Sequence, residues 1–213
     1  MELSELSDNS QLVFQTEKGK IKKTDAQLFT NIQRNGIIAI SLEDDDRLVS
    51  IRQIDHPCDI IVTTQKGMAI KFASSDIRSM GRNAQGVRAI RLGDDDKVVS
   101  MNIVEDEVYL VVVTANGFGK KTSFNNFNNQ NRGGKGVRCH KITEKTGNVV
   151  STLPANLDDD IMMVSLKGDM IRISARDIST TGRNTLGVKL KNLENTEDYI
   201  VSVTKYYEEN SED

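Results

Sequence analysis

Four times along this chain the same phrase recurs: Thr or Ser, two residues, then Gly. It stands at Thr16–Gly19, Thr64–Gly67, Thr114–Gly117 and Ser165–Gly168. An apolar run precedes each copy, and a base follows the glycine by four places, at Lys23, Lys71, Lys121 and Arg172. An apolar anchor comes next (Phe29, Ile77, Phe127, Ile178), then an arginine five residues later (Arg34, Arg82, Arg132, Arg183). A second glycine follows (Gly36, Gly86, Gly136, Gly187), and each unit closes on a serine (Ser50, Ser100, Ser151, Ser202). Self-similarity at a period of about 50 residues means an array of supersecondary units, none of which can bury its apolar face alone.

Composition agrees with many small cores. Apolar residues make up 37% of the 213, aromatics 5%, and tryptophan is absent. The net charge of −3 argues against a polyanion partner until its distribution is read. Residues 1–9 carry −3 and residues 205–213 another −3, which leaves +3 for 10–204. Within that span the acids cluster at Asp44–Asp46, Asp94–Asp96 and Asp158–Asp160, while the bases gather around the glycines. Such segregation can build a basic face on a mildly acidic molecule. Two cysteines, Cys58 and Cys139, imply no disulfide framework and fit a reducing compartment. The polar, acidic start does not read as a signal peptide, and no apolar run is long enough to span a bilayer, so a soluble, cytoplasmic chain is expected.

Each unit reads as four short strands, in the first about 11–16, 20–24, 37–42 and 47–54, with a tight hairpin at the Thr-x-x-Gly phrase. The Asp clusters fall in turns. The stretch before each arginine reads as a loop or a short helical turn. The expected fold class is all-β and propeller-like, with about four four-stranded blades at 10–55, 58–105, 108–155 and 159–205. Acidic tails are expected at 1–9 and 206–213.

The chemistry lies between the arginine and the second glycine. The copies are Arg34-Asn-Gly36, Arg82-Asn-Ala-Gln-Gly86, Arg132-Gly-Gly-Lys-Gly136 and Arg183-Asn-Thr-Leu-Gly187. The third, from Gln130 through Arg132, Gly133, Gly134 and Lys135 to Gly136, is the most basic and the richest in glycine. Glycines let a backbone approach a large surface, and guanidinium groups fork onto phosphate oxygens. Further bases follow in register at Arg88, Arg91, Arg138, Lys141, Lys189 and Lys191. Basic loops repeated at regular intervals suit a long polyanion better than a small ligand. Individual arginines could instead bond carbonyls between neighbouring units.

At this point the chain resembles a known family. Gln130–Gly136 is similar to the Gln-Arg-Arg-Gly-Gly-Lys-Gly box of the C-terminal domain of the bacterial DNA gyrase A subunit, with Asn131 in place of its first arginine. The runs Arg34–Ile40, Met80–Leu92 and Gly182–Val188 are also typical of it, and the likeness covers about residues 10–205. The resemblance implies a β-pinwheel, a propeller-like disc whose blades exchange strands and around whose basic edge duplex DNA bends. It implies the rest of the gyrase A protein and the gyrase B protein as partners in ATP-dependent negative supercoiling. ATP and Mg²⁺ are then used elsewhere in the holoenzyme, with no cofactor in this chain. By resemblance the edge residues are Lys22, Lys23, Lys71, Arg82, Lys120, Lys121, Arg132, Lys135, Arg172 and Arg183. The family usually has about six blades with its best box in the first; here four units are visible and the box-like segment is in the third. The acidic C-terminal end could compete with DNA for the basic edge. The related domain of topoisomerase IV and a propeller-like protein-interaction platform remain alternatives, although the platform should show an aromatic patch that this sequence hardly supplies.

No catalytic constellation is visible, and no nucleophile stands with a base. His56, Cys58, Cys139 and His140 lack zinc-ligand spacing, and the Asp clusters lack the alternating ligands of a calcium loop. The expected reading is a non-catalytic DNA-wrapping module, with no metal site.

Overall fold

The computed structural model describes residues 7, 9–31, 34–193 and 197–206; apart from Ser7, Asn9 and Tyr206, the two acidic tails lie outside them. Fifteen strands are present among the described residues. The first repeat gives β1 (Gln11–Thr16), β2 (Lys20–Asp25) and β3 (Leu48–Ile54). The second gives β4 (Asp59–Thr64), β5 (Met68–Ala73), β6 (Val87–Arg88) and β7 (Val98–Ile103). The third gives β8 (Tyr109–Thr114), β9 (Phe118–Ser123), β10 (Val137–Arg138) and β11 (Val149–Ala155). The fourth gives β12 (Asp160–Ser165), β13 (Met170–Ser174), β14 (Val188–Lys189) and β15 (Ile200–Tyr206). The fold is all-β, with four propeller-like blades.

The recurring phrase is the hairpin. In the first, third and fourth copies the glycine N–H donates to the threonine or serine carbonyl at 3.0–3.1 Å. All four glycines have φ between +75° and +93°, a region an L side chain enters only with strain. The hydroxyl ties the far side of the turn: Thr16 Oγ1 accepts from Lys20 N, and Ser165 Oγ from Asp169 N. The closing serine marks a bulge. Ser50, Ser100, Ser151 and Ser202 each pair with the residue beside a register shift, so one valine per sheet (Val49, Val99, Val150, Val201) has no partner across the ladder. A bulge bends the strand and sharpens its twist. The acid clusters form turns with a structural part to play: Asp45 and Asp95 adopt φ of 59° and 53°. The buried Asp46 carboxylate accepts the N–H groups of Lys18 and Arg47, and Asp198 does the same for Lys167 and Tyr199.

Sheet order agrees with the strand exchange that the resemblance implies and corrects the reading of four strands within each unit. The sheets run β3-β1-β2-β6, β10-β5-β4-β7, β11-β8-β9-β14 and β13-β12-β15. The strand after each arginine loop therefore leaves its own repeat and completes the sheet of the repeat before. The pairs are Lys20↔Arg88 and Ile21↔Val87, and again Phe118↔Lys189 and Gly119↔Val188. The first repeat's 37–42 run, expected as a strand, forms none. Its apolar residues pack locally instead, with Ile37, Ala39 and Ile40 lying on Leu12, Phe14, Ala26 and Phe29. The fourth sheet has three strands among the described residues. The segment before each arginine is a one-turn 3-10 helix, at Ala26–Phe29, Ser74–Asp76, Phe124–Asn126 and Ala175–Asp177. The apolar anchors that follow or end it are buried.

By contacts the chain divides into two compact units: Met1–Thr64 with Ala69–Val104 and Asn128–Val137, and Gln65–Met68 with Glu105–Phe127 and Arg138–Asp213. The first holds the small core of Leu12, Phe14, Ala26 and Phe29. The second holds one built on Val111, Val113, Ile161, Met163 and Ile200. Among the described residues no helix is long and apolar enough to cross a membrane.

Candidate nucleic-acid interface

Strand exchange determines where the arginine loops sit. Within the first unit the segment entering the loop docks on the second strand of the repeat before: Met80 N donates to Lys23 O and Gln130 N to Lys71 O, both at 2.8 Å. The second unit repeats the contact, with Thr181 N on Lys121 O at 3.0 Å. Successive loops are also bonded to each other. Gly133 N donates to Ala89 O at 2.7 Å and Arg91 N to Gly134 O at 2.8 Å in the first unit. In the second unit Lys141 N donates to Thr185 O at 3.0 Å. Part of what holds these loops is therefore backbone bonding that does not depend on side-chain identity.

On this frame the expected interface residues separate into groups. Arg34 and Lys135 are exposed, and Arg82, Arg132, Arg183 and Gln130 are half-buried on the loops. Arg132 donates through Nη1 to Arg88 O and through Nε to Asp76 O. Arg183 Nη1 reaches Arg138 O at 3.4 Å. Gly136 is fixed by contact, since a Cβ there would lie 2.3 Å from Ala69 O. Gly133 takes φ +84°, and a Cβ on Gly134 would meet only ordinary contacts. Arg88, Arg138 and Lys189, outside the main sequence-based set, stand exposed on the exchanged strands.

The second-strand lysines are less exposed than expected, whereas Arg172 is exposed. Lys22 and Lys120 are 0% exposed and Lys121 is 4% exposed. Lys22 Nζ donates to Ala39 O, Arg82 O (2.6 Å) and Gly81 O (3.4 Å). Lys120 Nζ donates to Arg183 O (2.6 Å), Gly182 O (2.8 Å) and Thr185 O (3.3 Å). Lys23 and Lys121 donate to carbonyls of the next repeat's 3-10 turn, Ser74 O and Ala175 O. Lys71 is half-buried on the same strand position. Arg172 is paired with Asp160 at 2.5 Å and lies 4.1 Å over the Tyr206 ring.

Burial lowers the pKa of Lys22 to about 8, with the nearby Arg82 guanidinium adding to the effect. Burial likewise lowers that of Lys120 to about 8, partly opposed by Cys139. His140, buried beside Lys120, is pushed down to about 4, first by burial and then by that ammonium, so it is neutral at pH 7. From about pH 8 to 10.5 the unfolded chain binds protons on Lys22 and Lys120 that the folded chain does not. Stability linked to these groups therefore rises with pH across that window. Denaturant midpoints of the wild type, referenced to a Lys22→Ile/Lys120→Ile double variant, should climb from pH 8 to 10. A flat difference would show that both amines ionise as freely as in the unfolded chain.

A family model described as the DNA gyrase C-terminal domain, beta-propeller, matches residues 10–55, 59–105, 109–156 and 159–205. The DNA gyrase A subunit of Clostridium acetobutylicum is 45% identical over 210 residues, which cover 99% of this chain and 25% of the relative. The same subunit of Halalkalibacterium halodurans is 55% identical over 188 residues, 88% of this chain and 23% of the relative. The chain thus spans about a quarter of the length of these relatives. A solved DNA gyrase A C-terminal domain superposes with a TM-score of 0.86 at 31% identity, over 95% of this chain and 68% of that one. The C-terminal domain of DNA topoisomerase IV gives 0.87 at 25% identity, over 94% and 62%.

Proposed function

This chain belongs to the DNA gyrase C-terminal β-propeller family, and from that premise we propose that it is a non-catalytic module that binds duplex DNA and bends it around loops carrying Arg82, Arg132, Lys135 and Arg183. The observation that carries the reading is the arginine loop pinned by backbone bonds to the preceding repeat and followed by an exchanged strand with its own exposed base. Such loops offer guanidinium and ammonium groups, and contacts of this kind go to phosphates rather than to base edges. Binding should be tolerant of sequence. Bending costs several kcal/mol for a sharp arc, so the remaining preference is for deformable DNA.

In the assembled enzyme the module presents a bent segment to the strand-passing part of the gyrase A protein. The gyrase B protein supplies ATP hydrolysis with Mg²⁺, and negative supercoiling is the outcome. The cytoplasm, where the chromosome lies, is the proposed location. The topoisomerase IV domain is a second reading, favoured by its equal structural likeness. The box-like Gln130–Gly136 segment and the gyrase A relatives weigh toward gyrase.

The decisive experiment seals nicked circular duplex in the presence of the chain and measures linking number. Wrapping shifts the distribution, and the direction of the shift gives the hand. Binding without a shift would reduce the module to a docking surface.

A further inference from the structure

We infer that Lys22 and Lys120 are positioning residues, each holding the Gly-Arg backbone of the next repeat's loop so that Arg82 and Arg183 are presented to DNA; the inference rests on the DNA-binding reading. The clamp occurs twice with the same parts. Lys22 Nζ meets the carbonyls of Gly81 and Arg82, and Lys120 Nζ those of Gly182 and Arg183. Each ammonium has a third carbonyl partner, Ala39 or Thr185, and Lys120 Nζ also reaches Thr185 Oγ1 at 3.1 Å, so the three N–H donors of each are fully used. Lys22 also lies 4.9 Å from the Phe14 ring centroid. These partners include no carboxylate, so carbonyl dipoles and the ring face carry the compensation.

The repeats supply an internal comparison. Register places Ile70 and Ile171 where the first and third repeats have Lys22 and Lys120. The loop over Ile70 is the glycine-rich third copy, and a Cβ on Gly134 would stand 3.6 Å from Ile70 Cδ1. That loop's arginine holds itself, through its guanidinium on Arg88 O and Asp76 O. The Arg82-Asn83 and Arg183-Asn184 loops instead have an amine beneath them, and their arginine carbonyls accept from it. The charged group facing Lys22 is Arg82, and the titratable groups facing Lys120 are His140 and Cys139. No carboxylate is among these groups.

Lys22→Ile and Lys120→Ile test this, because the chain already carries isoleucine at the equivalent positions. The first readout needs no DNA: native-state tryptic cleavage after Arg82 should rise about 5-fold in Lys22→Ile while cleavage after Arg132 stays constant, since only the unclamped loop opens locally. Lys120→Ile should do the same at Arg183. The second readout is binding of a duplex of about 40 base pairs at fixed salt. Lys22→Ile and Arg82→Ala should each weaken it about 5-fold, and the double variant should be no weaker than Arg82→Ala alone, since residues acting through one group are not additive. Additive losses, or unchanged cleavage at Arg82 and Arg183, overturn the inference. If the wild type binds no duplex, the DNA reading fails while the cleavage comparison still decides the clamp. If Lys22→Ile does not fold by circular dichroism, Lys120→Ile with Arg183→Ala gives the same decision from the second compact unit.

Discussion

Replacing Gly136 by alanine is expected to cost about 2–4 kcal/mol of stability, whereas the same change at Gly36 should cost about 1 kcal/mol. Both residues have positive φ, +72° and +74°, so both variants carry the strain of a left-handed L residue. Only one meets a wall. At Gly136 the new methyl would lie 2.3 Å from Ala69 O and 2.8 Å from Ala69 C, both backbone atoms of β5. A carbonyl in a sheet ladder cannot step aside, so the exchanged strand must move off the sheet it completes. At Gly36 nothing among the described residues lies within 4 Å. Gly86 and Gly187 repeat the crowded case, with a Cβ 2.5 Å from Ile21 O and 2.4 Å from Gly119 O. Urea unfolding of the four alanine variants should place three together and Gly36→Ala well apart. Equal losses at all four would mean that strand exchange adds little to stability, and that the glycines serve only their own backbone angles.

The hairpins are legible in the sequence because a local rule specifies them. A Thr or Ser whose hydroxyl bridges a turn, with glycine in the left-handed position, needs no distant partner to be recognised. The exchanged strands are half legible. Val87-Arg88 and Val188-Lys189 look like strand, but two residues carry no information about which edge they join, and local pattern assigns them to their own repeat. The 37–42 run shows the same limit from the other side: the apolar pattern is present and the ladder is not. At the candidate interface, spacing alone puts the arginines on loops, where the structure has them. It reads Lys22 and Lys120 as exposed although both are buried, because adjacent bases read as one class along the chain. Successive residues of a strand face opposite ways, and only one of the Lys22-Lys23 pair aligns with isoleucine in other repeats. That alternation of Lys and Ile is the available signal for an interior position.

Reversing charge at Arg132 and Lys135 together should weaken duplex binding by one to two orders of magnitude near 0.1 M salt and make the salt slope less negative by about 1.8, since each phosphate contact contributes about 0.9. Lys135 is exposed, and Arg132 is half-buried on a loop whose backbone is bonded to Ala89 and Arg91. Arg132→Glu gives up the guanidinium bonds to Arg88 O and Asp76 O, but the backbone bonds to Ala89 and Arg91 remain, so the loss is mainly electrostatic and falls alike on all sequences. Arg172→Ala provides the contrast. Its guanidinium is already committed to Asp160 at 2.5 Å and to the Tyr206 ring. Neutralising it removes little free positive charge, and an exposed ion pair of this kind adds little to stability. Affinity should fall by less than about 3-fold, with the salt slope nearly unchanged. Titrations of one duplex at several salt concentrations separate the cases. If Arg172→Ala matched the loop reversal in slope, the phosphate track would follow the second strands of the sheets instead of the arginine loops. If Arg132→Glu/Lys135→Glu bound as tightly as the wild type, the third loop would have no part in holding DNA.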